Sequence, residues 1–94
     1  MFVYVKLYGG MSRLAKKDIV PIEIEKGYTL RDVLLKIIDI YGEEMKYELV
    51  DMRSNEFSSA LILINNKSMP LTTNLDRKMS DGDKIALISF CAGG

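Results

Sequence analysis

The chain has 94 residues, 48% apolar and 28% charged with two prolines, which suits one globular domain and is too little for two cores. Thirteen basic and thirteen acidic side chains cancel, so no net field favours nucleic acid or an anionic membrane as a partner. With no histidine and a single cysteine, an internal disulfide, a tetrahedral zinc site and a histidine general base are all excluded.

Residues 2–8, FVYVKLY, alternate with β-branched and aromatic enrichment. They predict a strand with Val3, Val5 and Leu7 on one face and Phe2, Tyr4, Lys6 and Tyr8 on the other. This start lacks the basic-then-apolar order of a signal peptide, and the expected compartment is the cytoplasm. GGMSRLAKKD reads as a connecting loop with one helical turn at SRLA, and Gly9-Gly10 as glycines that let the chain turn through positive φ. Residues 19–25, IVPIEIE, predict a second strand with Val20, Ile22 and Ile24 facing in; Pro21 cannot donate to a ladder, which points to an edge or a bulge. The first two strands form a hairpin.

GYTLRDVLLKIIDIYG carries the clearest helix. Thr29 is its N-cap, with Asp32 three residues on. Leu30, Val33, Leu34, Ile37, Ile38 and Tyr41 form one apolar stripe at helical spacing, and Gly42 is placed for a left-handed C-cap. From Glu43 to Ser59 the pattern is weak: EEMKYELVD can carry a helix or a turn, and MRSNEFSSA reads as an exposed loop. ALILI, the longest apolar run, is too short to span a bilayer and predicts a central strand buried on both faces. NNK turns the chain, SMPL adds a brief extended piece, and 71–80 reads as irregular. Asp81-Gly82-Asp83 reads as a tight turn, since two acids fall short of the oxygens calcium requires.

In the last strand, KIALISF, Ile85 and Leu87 face the core. Ala86, Ile88 and Phe90 alternate onto the other face, which in a small one-layer sheet meets solvent. Joined by Tyr8, Tyr4 and Phe2 if the first strand is adjacent, they make an apolar patch of the kind that marks an interface. A helix or the 43–59 segment lying over them is the competing reading. Beyond Phe90 come Cys91, Ala92, Gly93 and Gly94, a tail at about 91–94 whose two glycines pack nothing.

The element order β-β-α-β-β, with one amphipathic helix across a mixed sheet of four to five strands, is an α+β, β-grasp (ubiquitin-like) pattern over a single domain, residues 1–94. VKLYGGMSRLA, GYTLRDVLLKI, DGDKIAL and the final AGG, in that order, resemble the MoaD and ThiS family of ubiquitin-like sulfur carriers. The likeness covers nearly the whole chain, least at 43–59, and the chain length leans to the MoaD side. Where MoaD proteins often carry a Pro-Pro-Val type stretch, this chain has Ser89-Phe90-Cys91, a departure that bears on partner and pathway more than on fold.

The resemblance implies a chemistry for the tail. A MoeB/ThiF-like partner enzyme uses ATP to adenylate the Gly94 carboxylate, sulfur replaces AMP, and the thiocarboxylate donates sulfur for molybdopterin beside a MoaE-like large subunit. This chain then binds no cofactor and no metal, and is not catalytic on its own. Gly93, Ala92 and Cys91 thread the partner's active site, with Cys91 standing where the family has a small aliphatic residue. Phe90, Ile88, Ala86 and Tyr8 dock the partner. A ubiquitin-like modifier joined through Gly94 to target lysines, a ThiS-like carrier for thiamine thiazole, and a plain interaction module remain alternatives.

Overall fold

The computed structural model of the chain describes residues 1–51, 53–57 and 60–89, with only the backbone of Ala60, Thr72 and Ser89. Strand β1 (Phe2–Leu7) buries Val3, Val5 and Leu7 and exposes the residues between them. It pairs antiparallel with β2 (Ile19–Glu23), from Phe2 opposite Glu23 to Lys6 opposite Ile19. Leu7 N–H donates to the Asp18 carbonyl and Ile24 N–H to the Met1 carbonyl, both at 2.7 Å. The odd residues of β1 therefore sit in hydrogen-bonded pairs, and the amides of Ile19, Pro21 and Glu23 point off the sheet. Pro21 loses no ladder bond there and removes one donor from an open edge. Lys36 Nζ, donating to the Glu23 carbonyl at 3.0 Å, covers another exposed edge group.

The two strands are joined through α1 (Gly10–Ala15), anchored by the fully buried Met11. This corrects the shared turn role expected for Gly9 and Gly10. Gly9 alone has positive φ (60°, ψ −130°), whereas Gly10 is the first residue of the helix. At Gly10 the crowding is with a side chain instead: a Cβ there would lie 2.6 Å from Oε1 at the end of Glu48, which would have to shift.

Helix α2 (Leu30–Tyr41) opens with a reciprocal capping box: Asp32 N–H donates to Thr29 Oγ1 at 3.3 Å, and Thr29 N–H to Asp32 Oδ2 at 2.9 Å. Leu30, Val33, Leu34 and Ile37 are wholly buried, with Ile38 and Tyr41 at the margin of the core. Gly42 closes the helix at φ 86°, but its ψ of −166° is not the left-handed cap anticipated. The difference has a cause, since Gly42 also precedes the first turn of α3 (Glu43–Leu49) and must redirect the chain.

EEMKYELVD takes its helical option, with Met45 and Leu49 of α3 fully buried. The stretch after it, read as an exposed loop, is more ordered than its polarity suggested: β3 (Val50–Asp51) pairs with β4 (Glu56–Phe57), bringing Phe57 under the core beside Val50. The chain then enters β5 (Ala60–Ile64), turns at Asn65-Asn66 into β6 (Lys67–Met69), and makes one turn of helix, α4 (Leu71–Asn74), where an irregular stretch was expected. Strand β5 also departs from expectation. Ile62 and Ile64 are buried, but Leu61 and Leu63 are only half-buried, because no described element packs on the sheet's outer side.

Strand β7 (Lys84–Ser89) completes the sheet in the order β2-β1-β7-β5-β6, parallel to β1 and antiparallel to β5. This is the β-grasp arrangement, with α2 across one face. The Asp81–Asp83 turn ties the starts of β1 and β7 together. Gly82, at φ 86°, donates its N–H to the Phe2 carbonyl at 2.7 Å, and Asp81 Oδ1 accepts from Phe2 N–H at 2.9 Å. Among the described residues no helix is long and apolar enough to cross a membrane.

Candidate functional site

Strand alternation and the sheet order together build the outer face. Ile85 and Leu87 point into the core, so Ala86 and Ile88 point out. The parallel register puts Lys6 beside Ala86 and continues to Tyr8, whose N–H donates to the Leu87 carbonyl at 3.2 Å. On the other flank, Leu63 lies opposite Ala86 and Leu61 opposite Ile88. Tyr4, Tyr8, Ile19, Leu63, Ala86 and Ile88 line an open groove of about 450 Å³.

The competing possibility, a helix or the 43–59 segment covering this face, does not occur among the described residues. Met45, Leu49, Val50 and Phe57 pack with α2 into the core on the opposite side. Tyr4 and Ile19 keep 43% and 54% of their surface exposed. Phe2 shares the face but stands at its far end, opposite Glu23, and does not line the groove. Sequence reasoning missed Leu63 and Ile19. Their signal was present in strand alternation, but it needed the neighbours of β7 and β1 to be known.

Two lysines belong to the same surface. Lys6 and Lys84 border the groove, and Lys6 Nζ stands 5.2 Å from the centre of the Tyr8 ring, a cation–π distance. Of the named candidates, Tyr8, Ala86 and Ile88 are thus brought together. Phe90, Cys91, Ala92, Gly93 and Gly94 lie outside the described residues. Because β7 runs parallel to β1, the chain passes Ser89 at the Tyr8 end of the groove. Among the described residues no group of three or more Cys, Asp and Glu is gathered as a metal site would require. The arrangement is an exposed apolar surface bordered by two lysines, with β7 ending at its Tyr8 end.

Comparison with known proteins is consistent in fold. The model of the ThiS family matches residues 5–94. No curated protein matches the chain significantly in sequence. Among solved structures, SAMP1 of Haloferax volcanii superposes with a TM-score of 0.80 at 17% identity over 100% of both chains, a likeness of fold. The small archaeal modifier protein 1 of Methanosarcina acetivorans has a TM-score of 0.75 at 28% identity, over 99% of this chain and 96% of that one. A Pyrococcus furiosus protein described as a candidate molybdopterin converting factor, subunit 1, has a TM-score of 0.75 at 25% identity, over 95% and 97%.

Proposed function

The chain belongs to the ThiS family of ubiquitin-like proteins, and from that premise we propose that it is a sulfur carrier of the MoaD type, acting through Gly94. A carboxylate is a poor acyl electrophile. Attack by the Gly94 carboxylate on the α-phosphorus of ATP, in a ThiF-like partner enzyme, releases pyrophosphate and leaves an acyl adenylate. Hydrosulfide attacking that carbonyl then expels AMP, and the terminal thiocarboxylate results. In the MoaD role this sulfur passes to a pterin precursor while the chain is docked on a MoaE-like large subunit.

The observation that carries the reading is the family match over residues 5–94, which takes in Gly93-Gly94. Glycines there leave no Cβ to obstruct a narrow active site. Ordering such a tail costs roughly 1–2 kcal/mol of backbone entropy per residue, and docking of the apolar face beside Ser89 offsets that cost. The 25% identity to the Pyrococcus protein favours the MoaD branch over a ThiS-like thiazole role.

A second reading has its own support. The 28% identity to the Methanosarcina modifier protein favours a ubiquitin-like modifier joined through Gly94 to lysines of other proteins. Both readings begin with the same adenylation. Mass spectrometry of the protein taken from its native cells separates them. Exchange of one terminal oxygen for sulfur supports the carrier, and isopeptide conjugates that vanish when Gly94 is deleted support the modifier. Neither form, with cofactor synthesis intact after the deletion, leaves only a binding module.

A further inference from the structure

The groove carries two positive charges that the fold itself does not use. Lys6 projects from β1 and Lys84 from β7 onto the same face, in adjacent register, since Tyr4 lies opposite Lys84 and Lys6 opposite Ala86. Both are exposed. The Arg31–Asp76 ion pair involves neither groove lysine. Lys36 provides a contrast: it also stands over a ring, Tyr28 at 5.9 Å, but its ammonium is engaged by the Glu23 carbonyl. Of the outward described positions on the five-stranded sheet only Glu23 is acidic, and it sits at the far edge opposite Phe2. The cation–π contact with Tyr8 holds the Lys6 ammonium over the groove instead of leaving it to wander in solvent.

We propose that the groove receives a partner-protein surface which places an apolar side chain against Tyr8, Ala86 and Ile88 and carboxylates against Lys6 and Lys84. The proposal rests on the docking of this face in the carrier reading and adds the chemistry of what docks. An apolar surface without acids would strip water from two ammonium groups and return no counter-charge. A second copy of this chain, related by a twofold axis, would bring the same two lysines against themselves. An acidic rim around an apolar anchor satisfies both the rings and the charges. It also steers encounter, since exposed charges act over roughly a Debye length of 10 Å at 0.1 M salt.

The test uses the full chain and the ThiF-like adenylating enzyme of the same organism, with affinity measured calorimetrically at low and high salt. The Lys6→Gln/Lys84→Gln double variant should lose about tenfold in affinity at low salt, with the gap closing at high salt as exposed ion pairs are screened. Lys26→Gln/Lys78→Gln, which removes exposed lysines elsewhere, should bind as the parent does. Equal thermal melting of all three proteins shows that the fold is not the variable. If the enzyme adenylates the parent but binds the groove variant equally well, or with a deficit indifferent to salt, the acidic-partner proposal falls and the carrier reading stands. If the enzyme neither binds nor adenylates the parent, the carrier reading falls and the proposal with it. A parent homodimer in sedimentation, closed through this face, likewise overturns it.

Discussion

The Tyr8 amide donates to the Leu87 carbonyl at 3.2 Å, extending the parallel β1–β7 ladder to the end of the sheet where the chain passes Ser89. This contact sets the aromatic ring of Tyr8 on the same side as Ile88. It places the end of β7 beside the groove, at the Tyr8 end.

Adjacent residues of β7 should therefore respond in opposite ways to the same substitution. Leu87 has no exposed surface, and Leu87→Asp places a carboxylate in the core and should abolish the cooperative melt. Ile88→Asp should leave the melt near that of the parent but reduce affinity for the large subunit or the adenylating enzyme by roughly thirtyfold or more, the range of an interface hot spot. Phe90→Asp is expected to behave like Ile88→Asp. Circular dichroism with calorimetry checks both effects, and unfolding of Ile88→Asp would show that the faces are assigned wrongly.

Gly9 and Gly10 should also part company. At Gly9 a side chain must adopt φ 60° with ψ −130°, and Gly9→Ala should cost about 1–3 kcal/mol. At Gly10 the backbone is helical and the obstacle is the end of the Glu48 side chain. That carboxylate can swing aside, and the gain of up to about 1 kcal/mol in helix propensity opposes the crowding. Gly10→Ala should shift the urea midpoint much less than Gly9→Ala does.

The ease of reading differed along the chain for physical reasons. Helix α2 was legible because Thr29 and Asp32 cap it and six apolar residues share a 3.6-residue period; β1 and β2 were legible because their inner and outer residues alternate. The 43–59 segment was not, since Met45, Leu49, Val50 and Phe57 are spread over a short helix and two two-residue strands, too little for either period to emerge. ALILI misled for the converse reason. An outward face that is itself apolar looks, in one dimension, like a buried one, so Leu63 read as core when it lines the groove. Gly10 hid the beginning of α1 because glycine is a poor helix former, and only Met11 behind it reveals the anchor. At the site, Tyr8, Ala86 and Ile88 were found by alternation alone, whereas the tail residues were marked by chemistry and resemblance.

The capping box at α2 supplies a prediction about stability alone. Thr29→Ala removes the hydroxyl that accepts from Asp32 N–H and should cost about 1 kcal/mol, lowering Tm by roughly 4–8 °C in a domain of this size. Adenylation of the variant, measured well below its Tm, should proceed at the parental rate, because α2 lies on the other side of the sheet.

The tail yields the reverse pattern. Gly93→Val adds a branched side chain beside the reacting carboxylate while leaving the described core untouched. Tm should be unchanged and AMP transfer to Gly94 reduced by about a hundredfold, the scale on which small misplacements of reacting groups act. Pyrophosphate release by the partner enzyme gives the rate directly, and a parental rate would remove steric threading from the mechanism.

The sheet has its last-made strand in its middle. Phe2 N–H reaches Asp81 across 79 positions of sequence, and β7 alone joins the β1–β2 hairpin to the β5–β6 hairpin. A chain cut or still growing before Lys84 holds two separated hairpins and no continuous core, so folding waits for a closure of high contact order. Nascent or truncated chains thus stay open to proteolysis, and a partner that recognises the groove, whose floor is β7 itself, meets only molecules synthesised as far as Ser89. In this protein the groove and the sheet are completed by the same strand.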